Sequence, residues 1–409
     1  MTGSTDVDDD RMLSAGAIRR GAGLLVARVR GGDFGSLPVI VGLLIIWTIF
    51  QSLNPVFLSS KNLVNLTMQC AAVGTIALGV VLVLLVGEID LSVGSVSGLA
   101  AAILAVTLVE LRWNLVFAIA AGLVAGLLVG LLYGFLYTKF GLPSFVITLA
   151  GLLGFLGLQL RVLGDTGSIN LPYDSWIVQF AQQMFLPPWA SYVAVAITAA
   201  SYGWFLLRRS RRRLAANLDS QSLLEIGVRT GGLLVFLALV AWYLNLSRGV
   251  GVMFLFFLVL VVAMNIALTR TRWGRSVYAV GGSEEAARRA GIRVRRIYYS
   301  VFALCSMFAA LGGILAAAWL GAANQSSGGG DTNLNAIAAA VIGGTSLFGG
   351  RGSAYSALLG IIVIQSVSSG LTLLNLDASV RFMVTGVVLA LAVIVDALSR
   401  KTRAATGRA

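Results

Sequence analysis

The sequence predicts an all-α fold: a polytopic integral membrane bundle of about 10 to 12 transmembrane helices. Three observations predict it. The chain is 58% apolar and only 11% charged, whereas a soluble domain is roughly half apolar and about a quarter charged. Its apolar residues fall into segments near the ~20 residues that cross hydrocarbon, not into the alternating segments of about ten that build a membrane barrel. Its cations gather in alternate connections between those segments.

The elements follow in chain order. Residues 1–35 open with acidic residues and carry five arginines further on, which predicts a mobile cytoplasmic tail. The next apolar segment is too long and unbroken for a cleaved signal. Apolar segments then recur at 36–53, 64–86, 93–109, 115–138, 143–162, 190–207, 231–247, 251–270, 298–320, 334–348, 353–374 and 380–398. Together, 36–398 form one transmembrane domain, followed by a cytoplasmic tail at 399–409. Segment 334–348 is short and is expected to cross as a short or broken helix, and a helix break is also expected near 87–95. The stretch 163–189, with Tyr173, Trp176 and Trp189, suits the headgroup region, where amphipathic rings settle. Residues 208–230 form a cytoplasmic insertion whose arginine run anchors the end of the preceding span.

Charge sets the expected orientation. With the N-terminus inside and all twelve segments crossing, 25 of the 30 Lys and Arg residues lie on inner stretches; Lys61, Arg112, Arg161 and Arg248 lie outside and Arg381 is ambiguous. This is the positive-inside pattern in a multi-pass cytoplasmic-membrane protein with both termini cytoplasmic. It directs the net charge of +13 toward the lipid bilayer and cytoplasm, not toward nucleic acid. Leaving out 334–348 as a crossing would strand Arg400, Lys401, Arg403 and Arg408 on the wrong side.

The most informative connection is 270–297. Ser283 is placed to cap a short helix after the Gly281-Gly282 turn, Glu284 and Glu285 occupy its first turn, Arg288 and Arg289 its last, and Gly291 ends it. Ala286 and Ala287 are its small interior residues, so the helix has almost no apolar face. It is either a solvated connector or a docking element for another protein.

A weak internal repeat lays Gly87–Ser97 over Gly343–Ser353, matching Gly, Leu, Gly and Ser at the same offsets. Glu88 and Asp90 are the acids most closely bracketed by apolar sequence. Either they hold a broken helix at the cytoplasmic edge, with Asp90 or Ser92 capping the helix from Val93, or they couple a proton or cation. Glu88, Asp90, Ser92 and Ser95, together with Gly343, Gly344, Thr345 and Ser346, are therefore candidates for a pathway or broken helix. The glycine-rich stretch lacks Gly-Lys-Ser/Thr, so no nucleotide site is encoded and any ATP, with its Mg, belongs to another subunit. No nucleophile-elbow, zinc-protease or Cys-x-x-Cys pattern supports an embedded enzyme. With two cysteines inside apolar spans and no histidine, no disulfide framework, metal site or bound cofactor is expected. Gln69, Gln159, Asn324, Gln325 and Gln365 are candidates for contacting a neutral polyol, or equally for satisfying backbone groups between helices.

Read in order, Gly87-Glu88-Ile89-Asp90-Leu91-Ser92-Val93-Gly94-Ser95, Pro143–Gly151, Gly274–Gly282, Leu334–Ala339 and Val341–Leu347 resemble the permease family of bacterial sugar ABC importers. Its ribose and xylose permeases are familiar members; Glu-Ile-Asp-Leu-Ser and the extra spans around 190–247 look closest to the xylose-type branch. The resemblance implies a permease homodimer, a separate ATPase subunit carrying ATP and Mg, and an extracytoplasmic sugar-binding protein. It also implies that Gly281, Gly282, Ser283, Glu284, Glu285, Ala286, Ala287, Arg288, Arg289 and Gly291 couple to the ATPase. Ser283 stands where the family usually has asparagine, and Ala290 where serine is common. The competing expectation is an ion-coupled secondary transporter of a small polar solute.

Overall fold

The computed structural model describes residues 37–377 except 219 and 221, together with isolated positions between 379 and 394. Both tails therefore lie outside the described residues, and so does most of the expected span at 380–398. The helices are α1 (Leu37–Leu53), α2 (Ser60–Leu85), α3 (Val93–Ala105), α4 (Leu115–Phe140), α5 (Ser144–Leu163), α6 (Trp176–Gln182), α7 (Pro188–Leu214), α8 (Leu223–Asn245), α9 (Val252–Arg270), α10 (Arg272–Gly282), α11 (Glu284–Arg289), α12 (Val294–Leu320), α13 (Gly330–Ile342) and α14 (Ala354–Leu373). A π-helical turn, Val106–Glu110, continues α3. Among the described residues, nine helices are long and apolar enough to cross a membrane, with Pro38–Leu53 shorter. The only sheet among them pairs β1 (Ser168–Asn170) with β2 (Ala322–Asn324) in antiparallel register, Ile169 opposite Ala323.

The centre of the bundle is α2 against α12. In α2 89% of the apolar window is buried, against 6% in α8, so α8 is peripheral and α2 central. The pair is antiparallel: Gly79 lies against Cys305 and Phe308, whereas Gly312 lies against Ala72 and Ile76. Small residues permit this approach, since a Cβ on Gly79 would come within 2.7 Å of the Cys305 carbonyl oxygen. On the other flank Gly126, Gly130 and Gly134, spaced one helical turn apart, bring α4 onto Ser306, Phe302 and Tyr299 of α12.

Two segments turn back into the bundle. After α2 ends at Leu85 the chain reverses, so that Asp90 reaches Cys305, near the middle of the 27-residue α12 (Sγ to Oδ2, 3.8 Å). Helix α3 thus starts in the interior and runs to one surface. After α12 and β2 the chain dips inward until Gly328 packs on Gly94 and Asn333 Nδ2 donates to the Leu91 carbonyl (2.7 Å). Helix α13 starts there and runs the other way, for 13 residues. At 1.5 Å per residue it covers about 20 Å, short of the ~30 Å hydrocarbon thickness. The short or broken helix expected at 334–348 is therefore an irregular inward segment followed by a helix of about two thirds of that thickness. Irregular backbone is tolerated at this depth because protein surrounds it.

Both glycine-rich stretches break helices. The structure adds a further correspondence, between α2–α3 and α12–α13, which run in opposite directions and meet at the N-termini of α3 and α13. This is the architecture of an inverted repeat.

Helix ends outside the apolar segments depart most from expectation. Helix α7 extends through the arginine run to Leu214, with Arg211, Arg212 and Arg213 in its last turn, where cations complement the dipole. Helix α8 starts at Leu223, capped by Ser222, and α12 starts at Val294. In 163–189 the chain folds into β1 and α6, with Tyr173, Trp176 and Trp189 exposed, as an interfacial segment requires.

Candidate functional site

The connection at 270–297 is built locally. Thr271 Oγ1 accepts from the Gly274 N–H (3.0 Å) and starts α10, which buries Gly274, Val277 and Val280. Ser283 Oγ accepts from the Ala286 N–H (3.3 Å) and starts α11, as its position predicts. Glu284 pairs with Arg288 (2.6 Å) and Glu285 with Arg289 (2.5 Å), one turn apart. Gly291, at φ +79°, reverses the chain, and Ala287 is the buried contact of α11. The sequence predicts one short helix after a Gly281-Gly282 turn; in the structure both glycines instead end α10, for which Thr271 and the 273/277/280 apolar spacing are the local signal.

The end of α10 meets both helix breaks. A Cβ on Gly281 would lie 1.8 Å from the Leu85 carbonyl oxygen and 2.7 Å from the Gly350 nitrogen. The Gly350 N–H donates to that same Leu85 carbonyl (2.9 Å), and Gly349, at φ +82°, lies against Gly87 and the Gly281 carbonyl. Tyr278 Oη donates to the Gly352 carbonyl (2.9 Å), and burial raises its phenol above the ordinary range. Three backbones thus touch at one point with no side chain between them. Gly281, Gly87 and the 343–352 stretch are brought together; Gly282 is exposed and touches this point only through its backbone.

Asp90 departs from the expected geometry. It does not cap α3, and Ser92 makes no side-chain cap bond either. Asp90 Oδ1 instead accepts from the Ser92 N–H (2.8 Å) and the Ser92 hydroxyl (2.7 Å), an Asx turn just before the helix. Tyr133 Oη donates to Ser92 Oγ (2.7 Å), and Ser95 Oγ donates to the Ser92 carbonyl (2.9 Å). Asp90 is therefore deep in the bundle and not at its cytoplasmic edge; Glu88 is only half-buried and accepts from Tyr137 Oη (2.6 Å). At the second break Gly343 packs on the Ser356 carbonyl, Gly344 sits at φ +102°, and Thr345 and Ser346 are buried.

The amide candidates fall in two places. Gln159, fully buried, donates through Nε2 to the carbonyls of Asn324 (3.1 Å) and Ser327 (2.9 Å). Asn324 Oδ1 accepts from the Ser326 N–H (3.0 Å), and Gln325 is exposed beside Gly167. Elsewhere Gln365 Nε2 donates to Gln69 Oε1 (3.2 Å), joining α14 to α2. Gln159 thus fastens the inward segment before α13. Gln159→Ala removes two donors from partly buried carbonyls and is expected to cost about 1–3 kcal/mol. Thermal unfolding of the detergent-solubilised chain checks this, and an unchanged midpoint would show the segment to be held by other contacts. Gln159 Oε1, Asn333 Oδ1 and Thr345 Oγ1 are buried acceptors without a protein partner. No cluster of metal-ligating side chains occurs among the described residues.

A bundle with two helices that start in its interior, and with the end of α10 pressed on both breaks, suits a transport protein, and comparison with known proteins agrees. Residues 62–393 match the family model described as branched-chain amino acid transport system / permease component. The chain belongs to this permease family. The chain is 34% identical over 368 residues to the xylose transport system permease protein of Escherichia coli (strain K12), covering 90% of this chain and 92% of that one. It is 33% identical over 365 residues to the ribose import permease protein of Bacillus subtilis (strain 168), covering 89% and 94%. The corresponding Haemophilus influenzae xylose permease is 32% identical over 366 residues. No solved structure matches. The resemblance read from the motifs is confirmed: the protein is a multi-pass membrane permease component, a transport subunit and not an enzyme.

Proposed function

We propose that the chain is the transmembrane subunit of an ATP-binding cassette importer that carries a monosaccharide, a pentose of the xylose type, across the bacterial inner membrane. Two copies enclose the path, a separate ATPase binds ATP and Mg, and an extracytoplasmic binding protein delivers the sugar. Both termini are cytoplasmic, which places α10 and α11 on the ATPase side.

The contact of Gly281 with Leu85 and Gly350 carries the reading. Residues 281–289 and Gly291 are the coupling element: α11 offers its ion-paired surface to the ATPase, and α10 transmits the movement to both breaks. Glu88, Asp90, Ser92 and Ser95 on one side, and Gly343, Gly344, Thr345 and Ser346 on the other, form the segments that shift in alternating access. Gln69 and Gln365 are the amides placed to touch cargo; Gln159, Asn324 and Gln325 hold the inward segment in place.

Co-purification tests the class, because a stable complex with an ATP-hydrolysing subunit is expected. Uptake with a panel of pentoses and hexoses then tests the cargo. Uptake that needs an ion gradient and no ATPase would instead favour a secondary transporter. Glu285→Arg combined with Arg288→Glu breaks both ion pairs and reverses the docking charges. It is expected to lower uptake by about tenfold or more without preventing membrane insertion; wild-type uptake would remove the docking role.

A further inference from the structure

The backbone contact at Gly281 is not the only route from α11 to the first helix break. Arg288 engages Glu284 through Oε1, which leaves Oε2 to accept from Tyr298 Oη (3.2 Å). The Tyr298 ring lies 4.6 Å from the Tyr137 ring, and Tyr137 Oη donates to Glu88 Oε1 (2.6 Å). Glu284, Tyr298, Tyr137 and Glu88 all line one open cleft of about 900 Å³. The aromatic contacts continue inward: Phe302 lies 5.8 Å from Tyr137 and 6.4 Å from Tyr133 between ring centroids, and Tyr133 holds Ser92.

Tyr133 and Tyr137 sit one turn apart on α4, so one helix face grips the inward segment twice, at its mouth through Glu88 and at its depth through Ser92. Tyr298, at the start of α12, is the piece that reaches from that face to the coupling helix. The Tyr137–Glu88 bond is short and the Tyr298–Glu284 bond longer, but both are directional, so displacing Glu284 pulls on Tyr298 and leaves Glu88 without its neighbour's support unless the tyrosines move together.

We propose that Tyr298 and Tyr137 are positioning residues for transport, relaying movement of the coupling helix at Glu284 to the inward segment at Glu88. This rests on the importer reading and adds to it a side-chain path distinct from the glycine contact. Neither tyrosine touches the ATPase or the sugar in this role; they set how much of each ATP cycle reaches the segment.

The test uses the full complex of permease, ATPase and binding protein in proteoliposomes. Uptake of radiolabelled xylose, or of whichever panel sugar the wild type imports, is measured together with ATP hydrolysis. Tyr298→Phe and Tyr137→Phe keep both rings and their packing but remove the hydroxyls. Complex assembly and ATP hydrolysis are expected to stay within about twofold of wild type, while sugar moved per ATP falls by about fivefold or more. The double variant is expected to fall no further than the stronger single one, because both break the same link. Glu88→Ala breaks the link from its far end without altering either ring, and Glu88→Gln, which keeps an acceptor oxygen, is expected to restore the ratio. An unchanged ratio in both tyrosine variants, or losses that multiply in the double variant, overturns the relay. A wild-type chain that binds no ATPase is a different result and overturns the importer reading itself.

Discussion

Replacing Gly281 with valine is expected to abolish uptake and to lower the thermal stability of the permease. The first added carbon would lie 1.8 Å from one backbone oxygen and 2.7 Å from a backbone nitrogen. Side-chain rotation cannot relieve such a clash, because both atoms belong to main chain held by the Gly350–Leu85 hydrogen bond. Overpacking costs about 1–3 kcal/mol and more where backbone must shift. Here the shift separates α10 from both helix breaks, so coupling is lost even if the bundle survives. The neighbouring residue supplies the control: nothing lies within 4 Å of a Cβ on Gly282, and Gly282→Ala is expected to behave as wild type. Thermal unfolding in detergent and vesicle uptake, measured on both variants, check the contrast. Equal behaviour of the two would show that the close approach at Gly281 carries no function.

Asp90→Ala is expected to reduce the amount of folded permease sharply. Asp90 and Ser92 are both buried, and the carboxylate is the acceptor for the Ser92 N–H and hydroxyl. Removing it strands two donors in the interior, at about 1–3 kcal/mol each. Burial of both residues leaves no solvent-exposed surface here from which bulk water could replace the lost acceptor. Asp90→Asn keeps a carbonyl oxygen at the same place and is expected to recover most of the stability. Steady-state abundance and thermal midpoint check both variants, and an alanine variant as stable as wild type would refute the structural role. An asparagine variant that folds normally but carries no sugar would show that the charge itself is used, as the cation-coupling alternative requires.

The sequence was most legible where the cause is local. The segment read as 115–138 forms Leu115–Phe140, and that read as 251–270 forms Val252–Arg270, because solvation by hydrocarbon sets the apolar limits. Ser283, Glu284, Glu285, Arg288, Arg289 and Gly291 behave as read, since capping, dipole and left-handed turn preferences act within one helical turn. Helix ends beyond the apolar limits were less legible, as at Leu214 and Leu223, because polar helix carries no hydropathy signal. Asp90 was legible as a residue of consequence but not in its bonding. An acid before a helix either caps it or forms an Asx turn, and the position of Tyr133, on another helix, accompanies the second outcome here.

The sequence by itself determined the membrane bundle, its permease family and the short capped helix at Glu284–Arg289. These depend on composition, ordered motifs and contacts between residues close in the chain. Only the tertiary structure decided that α13 starts inside the bundle, that Gln159 fastens the segment before it, and that Gly281, Leu85 and Gly350 share one contact. Those facts join residues up to 265 positions apart, as between Leu85 and Gly350. Hydropathy, propensity and capping act along the chain, so nothing local records which distant backbone a glycine will meet.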